Sequence, residues 1–329
     1  MKSPAETRVT PVRRPAMYTP APRLRRVRWL IGAAAILLLL LVGIGIDRLV
    51  LPALNAASLT ADGRGLPAAI QRSKTITVAS HVAYPGAESF KAGTGTIEGV
   101  DYDLCQAIAQ HFGPLHCTFV DTPTAALLPN LLAGHADIVM SGLGDSVGRE
   151  QSVDLIDYFS FGLSILVRRT ETSKITTLYD LCGRAVSVQF PVQGDFAASL
   201  AAKCKALKKG DVRISTSDLR QLQAGKVDAA LADYPTAVQL AAAHPEIQIV
   251  GKPLVQYPLD PKRIVAPWGI AVRKDDGALR QALLASLRAL MADGTYHRIL
   301  VKWGVADGAL KQLVVNCSAH GNCPTQGSP

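Results

Sequence analysis

The sequence predicts an α/β fold of two lobes facing each other across a cleft, and three observations in its 329 residues predict it. First, Leu132-Ala133-Gly134-His135-Ala136-Asp137 and Gln223-Ala224-Gly225-Lys226-Val227-Asp228 read almost alike. Each follows an apolar helical segment and precedes four small or apolar residues, so each reads as helix, glycine stop and buried strand. Second, strand-like runs alternate with helical periodicity from Thr75 onward, the pattern of parallel sheets covered on both faces. Third, Leu163–Arg169 and Gly269–Lys274 are similar strands ending in charges, and one complete α/β unit lies between them. The chain therefore leaves lobe one, builds lobe two and returns, with the two crossing strands as a hinge.

Taken in order, residues 1–28 form a basic head with eight Lys/Arg against one Glu. Residues 29–46 carry no charge and read as a transmembrane segment at the short end of the range that spans a bilayer. The long head, the Asp47-Arg48 pair after the apolar core and the poor cleavage site Leu54-Asn55-Ala56 favour an uncleaved signal anchor over a cleaved signal peptide. The basic residues place the head in the cytoplasm and the remainder outside. Residues 47–73 read as a linker. The first part of lobe one, 74–163, holds a strand at Thr75–Ala79, an open loop at His81–Gly95, and a helix Tyr102–His111 with Asp101 as N-cap. A strand Cys117–Val120, a helix Leu127–Ala133 and the strand Ile138–Ser141 follow. Lobe two takes 164–267, and lobe one resumes over 268–315 with the amphipathic helix Ala278–Ala292. Residues 316–329 are polar and read as a tail with a disordered end.

The net charge of +9 is mostly that of the head, which holds +7, so the folded part has no basic face and nucleic-acid binding is excluded. All six cysteines fall on the outer side, an oxidising compartment. Their proximity suggests Cys105 with Cys117, Cys182 with Cys204 and Cys317 with Cys323, although six cysteines allow fifteen connectivities. Cys317, His320 and Cys323 lack a fourth ligand and C-x-x-C spacing, so no metal is expected, and no phosphate loop or other cofactor motif is present.

Ligands of open α/β sheets bind past the carboxyl ends of the strands. There the first repeat copy delivers Ser141, Gly142, Ser146 and Arg149, and the second delivers Asp233. A glycine turn with a guanidinium suits a carboxylate, and an isolated acid suits an ammonium, so the two copies are half-sites for a zwitterion. The plainer alternatives are a surface ion pair for Arg149 and a helix cap for Asp233. Tyr84 and Phe90 could wall an aliphatic or aromatic ligand tail. Gly144-Asp145-Ser146-Val147-Gly148 matches G-x-S-x-G, but no glycine-rich oxyanion loop and no triad-like histidine setting accompany it.

From about Thr75 to Trp303 the chain resembles the polar-amino-acid class of extracellular solute-binding proteins, family 3, the type II periplasmic-binding-protein (Venus flytrap) components of ABC importers. The resemblance rests on Tyr84-Pro85, Gly99–Leu104, Leu132-Ala133-Gly134 with Asp137, and Arg149 with Val153-Asp154. It continues through Asp180–Gly183, Val227-Asp228 with Asp233, Gly269–Lys274, Asp293–Tyr296 and Lys302-Trp303. It implies that Arg149 clamps an α-carboxylate with help from Ser141, Gly142 and Ser146, that Asp233 takes the α-ammonium, and that Tyr84 covers the side chain. His81 stands where many members carry Asp, Gly144 where Ser or Thr is usual, and Gln193 where a Thr often meets the carboxylate. His81 would disfavour cationic side chains. The implied protein is a monomeric, non-enzymatic receptor on the outer face of the cytoplasmic membrane that delivers an amino acid to an ABC permease. Two alternatives share the fold: a cyclohexadienyl dehydratase, for which Glu88 and His81 are the candidate acid and base, and a sensory module acting in trans.

Overall fold

The computed structural model describes residues 65–324, apart from 161, 189–190, 217–218 and 261–265 and the side chains of 191–193. The basic head, the segment 29–46 and most of the linker lie outside the described residues. Among the described residues no helix is long and apolar enough to cross a membrane.

The strands in chain order are β1 (Thr75–Ser80), β2 (Ala83–Tyr84), β3 (Glu88–Phe90), β4 (Ile97–Glu98), β5 (His116–Asp121), β6 (Ile138–Val139) and β7 (Val153–Phe159). After them come β8 (Leu163–Arg168), β9 (Ala185–Val188), β10 (Arg213–Thr216), β11 (Ala229–Asp233), β12 (Ile247–Leu254), β13 (Trp268–Arg273) and β14 (Val314–Val315). Lobe one is a six-stranded sheet in the order β14-β7-β13-β6-β1-β5, and lobe two a five-stranded sheet in the order β10-β9-β11-β8-β12. The strands β2, β3 and β4 make a small separate sheet in the loop after β1.

The sheets are mixed where wholly parallel ones were expected. β5, β1 and β6 are parallel, as are β10, β9 and β11. β7 and β13 run antiparallel to each other, and β8 runs antiparallel to both β11 and β12. The cause is the crossing. β7 leaves lobe one and only the short Ser160–Gly162 segment separates it from β8, too little for the helical crossover a parallel pair requires. Periodicity reports burial on both faces, which these strands share with parallel ones, and not strand direction.

The helix expected at Tyr102–His111 begins at Val100 with Gly99 as N-cap, so Asp101 lies inside it and not at its cap. Gly99 adopts φ +143°, and a Cβ there would lie 2.0 Å from the Ala87 carbonyl oxygen, so this entry requires glycine. The three disulfides pair as proximity suggested: Cys105–Cys117, Cys182–Cys204 and Cys317–Cys323. The described part of the tail is not loose. Val314 and Val315 extend the lobe-one sheet along β7, and the turn Cys317–His320 docks on acids of the same lobe.

Candidate functional site

The two repeat copies are built by one device. In lobe one, Gly134 takes φ +75° after the helix Leu127–Leu132, and the Asp137 carboxylate accepts from the Thr77 backbone N–H at 2.8 Å. Arg273, at the end of β13, donates to the Leu131 and Ala136 carbonyls at 3.1 and 2.8 Å. In lobe two, Gly225 takes φ +69° after the helix Leu219–Gln223, and Asp228 accepts from the Ala185 N–H at 2.8 Å. Arg168, at the end of β8, donates to the Leu222 and Val227 carbonyls at 2.8 Å each. The repeated aspartates are therefore braces where the central strands enter. The arginines on the two similar strands lock the helix turns that would otherwise leave buried carbonyls unpaired.

Past those braced strands opens a cleft of about 700 Å³. Lobe one lines it with His81, Tyr84, Ser141, Gly142 and Arg149, and lobe two with Asp233 and residues of the two helices beside it. Asp233 sits at the N-cap position of the helix Tyr234–Ala243 yet makes no side-chain cap bond. Its carboxylate instead accepts the Tyr84 hydroxyl at 2.6 Å, a bond that joins the lobes. Burial and then the Asp233 charge raise the Tyr84 phenol well above its ordinary pKa, so it is a fixed donor. Of the two readings of Asp233, the cap is not made.

Arg149 lies on the short helix Val147–Glu150, whose N-cap Ser146 accepts from the Arg149 N–H at 3.4 Å. Its guanidinium reaches back to the Gly144 carbonyl. Burial lowers its pKa while the charge of Asp145 opposes that shift. Ser146 serves as a cap and is not among the residues lining the cleft. Phe90 also lies off the lining and is 51% exposed, so the aromatic wall falls to Tyr84, edge-on to Trp268 with ring centroids 5.5 Å apart. The Gln193 side chain lies outside the described residues.

The turn Ser141-Gly142 rests on two buried acids whose support role composition does not reveal. Glu88 accepts the Ser141 hydroxyl at 2.6 Å, and Ser141 Oγ accepts from the His81 N–H at 2.9 Å. Asp101 accepts from the Gly142 N–H at 2.7 Å and from the Tyr158 hydroxyl at 2.5 Å. Burial raises Asp101 to about 6, and burial together with the neighbouring Asp101 charge raises Glu88. The Gly142 N–H thus serves Asp101, and Glu88 lies below the cleft floor, fully buried and off the lining. Gly142 itself takes φ +53°, and a Cβ there would stand 2.5 Å from Tyr84 Cε1, so glycine lets the tyrosine lie over the turn.

On the other side of Arg149, Asp145 accepts from the Cys317 N–H at 3.0 Å. The two Glu150 oxygens take the Ser318 and Ala319 N–H groups at 2.8 Å each. Asp145 and Asp157 approach one another there together with Cys317 Sγ, but that sulfur is committed to Cys323, which leaves two carboxylates and no thiolate for a cation. Burial raises Asp145 to about 7 and Asp157 to about 9, so the pair retains a proton at neutral pH.

Two lobes, double crossing strands and a polar cleft at the facing strand ends define a solute-binding protein. The chain belongs to the bacterial extracellular solute-binding proteins, family 3, whose profile matches residues 76–306. It is 28% identical over 259 residues to the arginine-binding protein ArgT of Corynebacterium glutamicum, covering 76% of this chain and 81% of that one. It is 29% identical over 233 residues to the histidine-binding periplasmic protein of Escherichia coli K12, covering 70% and 87%. Among solved structures, an ancestral cationic amino acid solute-binding protein, AncCDT-1, superposes with a TM-score of 0.59 at 26% identity, over 71% of this chain and 97% of that one. Another structure of AncCDT-1, described as a precursor of cyclohexadienyl dehydratase, gives 0.55 at 27% identity, over 71% and 97%.

Proposed function

We propose that this protein is a receptor for an amino acid or related zwitterion, held between the lobes and passed to an ABC permease. One observation carries the reading: Arg149 from lobe one and Asp233 from lobe two line a single cleft, each fixed by its own strand end. Arg149 takes the α-carboxylate, Asp233 the α-ammonium, and Tyr84 with His81 meets the side chain. Ser141 and Gly142 shape the turn, and Ser146 holds the Arg149 helix. Only the closed arrangement brings both charges to one ligand, so ligand stabilises closure. The relatives named as arginine- and histidine-binding proteins support amino-acid capture. Residues 29–46 tether the receptor to the cytoplasmic membrane with the lobes outside, where the three disulfides persist. The lobes occupy 74–163 with 268–315, and 164–267, and the receptor works as a monomer.

The test is a thermal-shift screen of residues 60–329, with disulfides formed, against amino acids and small organic acids. Ligand at one hundred times its Kd adds about 2.7 kcal/mol, several degrees in Tm for a chain of this size. A shift confined to one group of amino acids is expected. Silence across the panel from a folded protein, or turnover of prephenate, would set the receptor reading aside in favour of the dehydratase.

A further inference from the structure

Resting on that reading, we infer that the side-chain end of the cleft takes an anionic group, so that the ligand is an acidic amino acid with Arg220 as its second anchor. Among the described residues lining the cleft, Asp233 is the sole carboxylate, against the guanidinium groups of Arg149 and Arg220. A ligand ammonium takes Asp233, whose Oδ2 already accepts the Tyr84 hydroxyl. No lining carboxylate then remains to neutralise a cationic side chain, and leaving such a charge unpaired in a half-enclosed cleft is costly.

The lobe-two wall is instead rich in donors. Arg220 and Gln223 come from the helix Leu219–Gln223, and His244 from the end of the helix Tyr234–Ala243. His81 faces the same cleft from lobe one. Glu246 lies outside the lining and is tied to this wall, accepting from Gln223 Nε2 at 2.8 Å and standing 3.6 Å from His244 Nδ1. It therefore offsets His244 and not Arg220. A guanidinium carries five N–H donors and stays charged throughout the physiological range, so contacts elsewhere leave Arg220 able to bind a carboxylate. The helix bearing Arg220 is held by Arg168 at Leu222 O and Val227 O, which fixes its place relative to Asp233. This charge pattern runs against the cationic ligands in the names of the relatives, and it is a property of this chain's own lining.

Calorimetric titration with aspartate, glutamate, 2-aminoadipate, glutamine, arginine and histidine decides the matter. One of the acidic ligands should bind about tenfold or more tighter than glutamine, arginine or histidine, the scale of one charge-assisted contact. Arg220→Gln should collapse the glutamate-to-glutamine ratio of Kd values toward one, and Arg220→Lys should restore part of it. Tighter binding of arginine or histidine, or an unchanged ratio in Arg220→Gln at unchanged ligand-free Tm, overturns the inference while leaving the receptor reading intact. If no amino acid binds the folded wild type, the receptor reading itself fails and this inference with it.

Discussion

Arg149 is half-buried, holds the Gly144 carbonyl and feels the charge of Asp145, so its guanidinium is positioned before ligand arrives. Truncating one partner of such a charge pair costs about 2–5 kcal/mol of binding, thirtyfold or more in Kd. Arg149→Ala should therefore abolish measurable amino-acid binding with a ligand-free Tm close to wild type. Retained affinity by calorimetry would show that the carboxylate lies elsewhere. Tyr84 tests the opposite wall. Its hydroxyl bonds an Asp233 that is 5% exposed, and loss of a donor to a buried carboxylate costs about 1–3 kcal/mol. Tyr84→Phe should lower the ligand-free Tm by several degrees and enlarge the ligand-induced rise, because the ligand ammonium then replaces a missing donor. An unchanged ligand-free Tm would mean that the inter-lobe bond contributes nothing in solution.

Among the elements, the C-terminal strap is the support that sequence periodicity does not announce. Asn316 bridges the Leu155 N–H and the Asp154 carboxylate at 2.8 and 2.9 Å, and the N–H groups of Cys317, Ser318 and Ala319 occupy Asp145 and Glu150 on either side of Arg149. The chain-entropy model assigns the short Cys317–Cys323 loop about 2 kcal/mol and the Cys105–Cys117 loop about 3. Replacing Cys317 and Cys323 by Ser should lower Tm less than the same change at Cys105 and Cys117, yet weaken amino-acid binding more. Equal Kd values for the two double variants would show that the strap does not steady Arg149. What was legible in the sequence divides along the same line. The helix–glycine–strand repeats, the crossing strands, the disulfide pairs and the strand-end positions of Arg149 and Asp233 were readable, because periodicity and glycine stops are local signals. The Glu88–Asp101 floor, the mixed strand directions and the docking of 316–320 were not, because each depends on partners 50 to 170 positions away. Asp101 illustrates the limit. In sequence it looks like a cap, and only packing against Tyr158 and Gly142 makes it a buried support.

Across the whole molecule the buried acids set the sign of the pH dependence. Asp145 and Asp157 carry folded pKa values near 7 and 9, against an ordinary 3.8, because burial and mutual proximity penalise their charged forms. Between those limits the native chain binds more protons than the unfolded chain, so stability is full in mild acid and declines as pH rises from about 4 toward 9. Glu88 and Asp101 are shifted in the same direction and steepen the lower part of that decline. Asp180 is held down at about 2 by the Thr176 and Thr177 N–H groups, and its opposing contribution is lost only below the ordinary aspartate range. Ligand-free protein should accordingly melt higher at pH 5.5 than at pH 8.5. Asp157→Asn, which keeps the shape and removes the ionisation, should flatten the slope and raise Tm most at the alkaline end. A Tm that climbs with pH, or the same slope in Asp157→Asn, would show that these carboxyls are ionised and paired in the folded protein. Amino-acid ligand adds its own stabilisation through mass action, so the comparison is made without ligand, and the difference between ligand-bound and ligand-free slopes then reports whether Asp145 draws on Arg149 as it ionises.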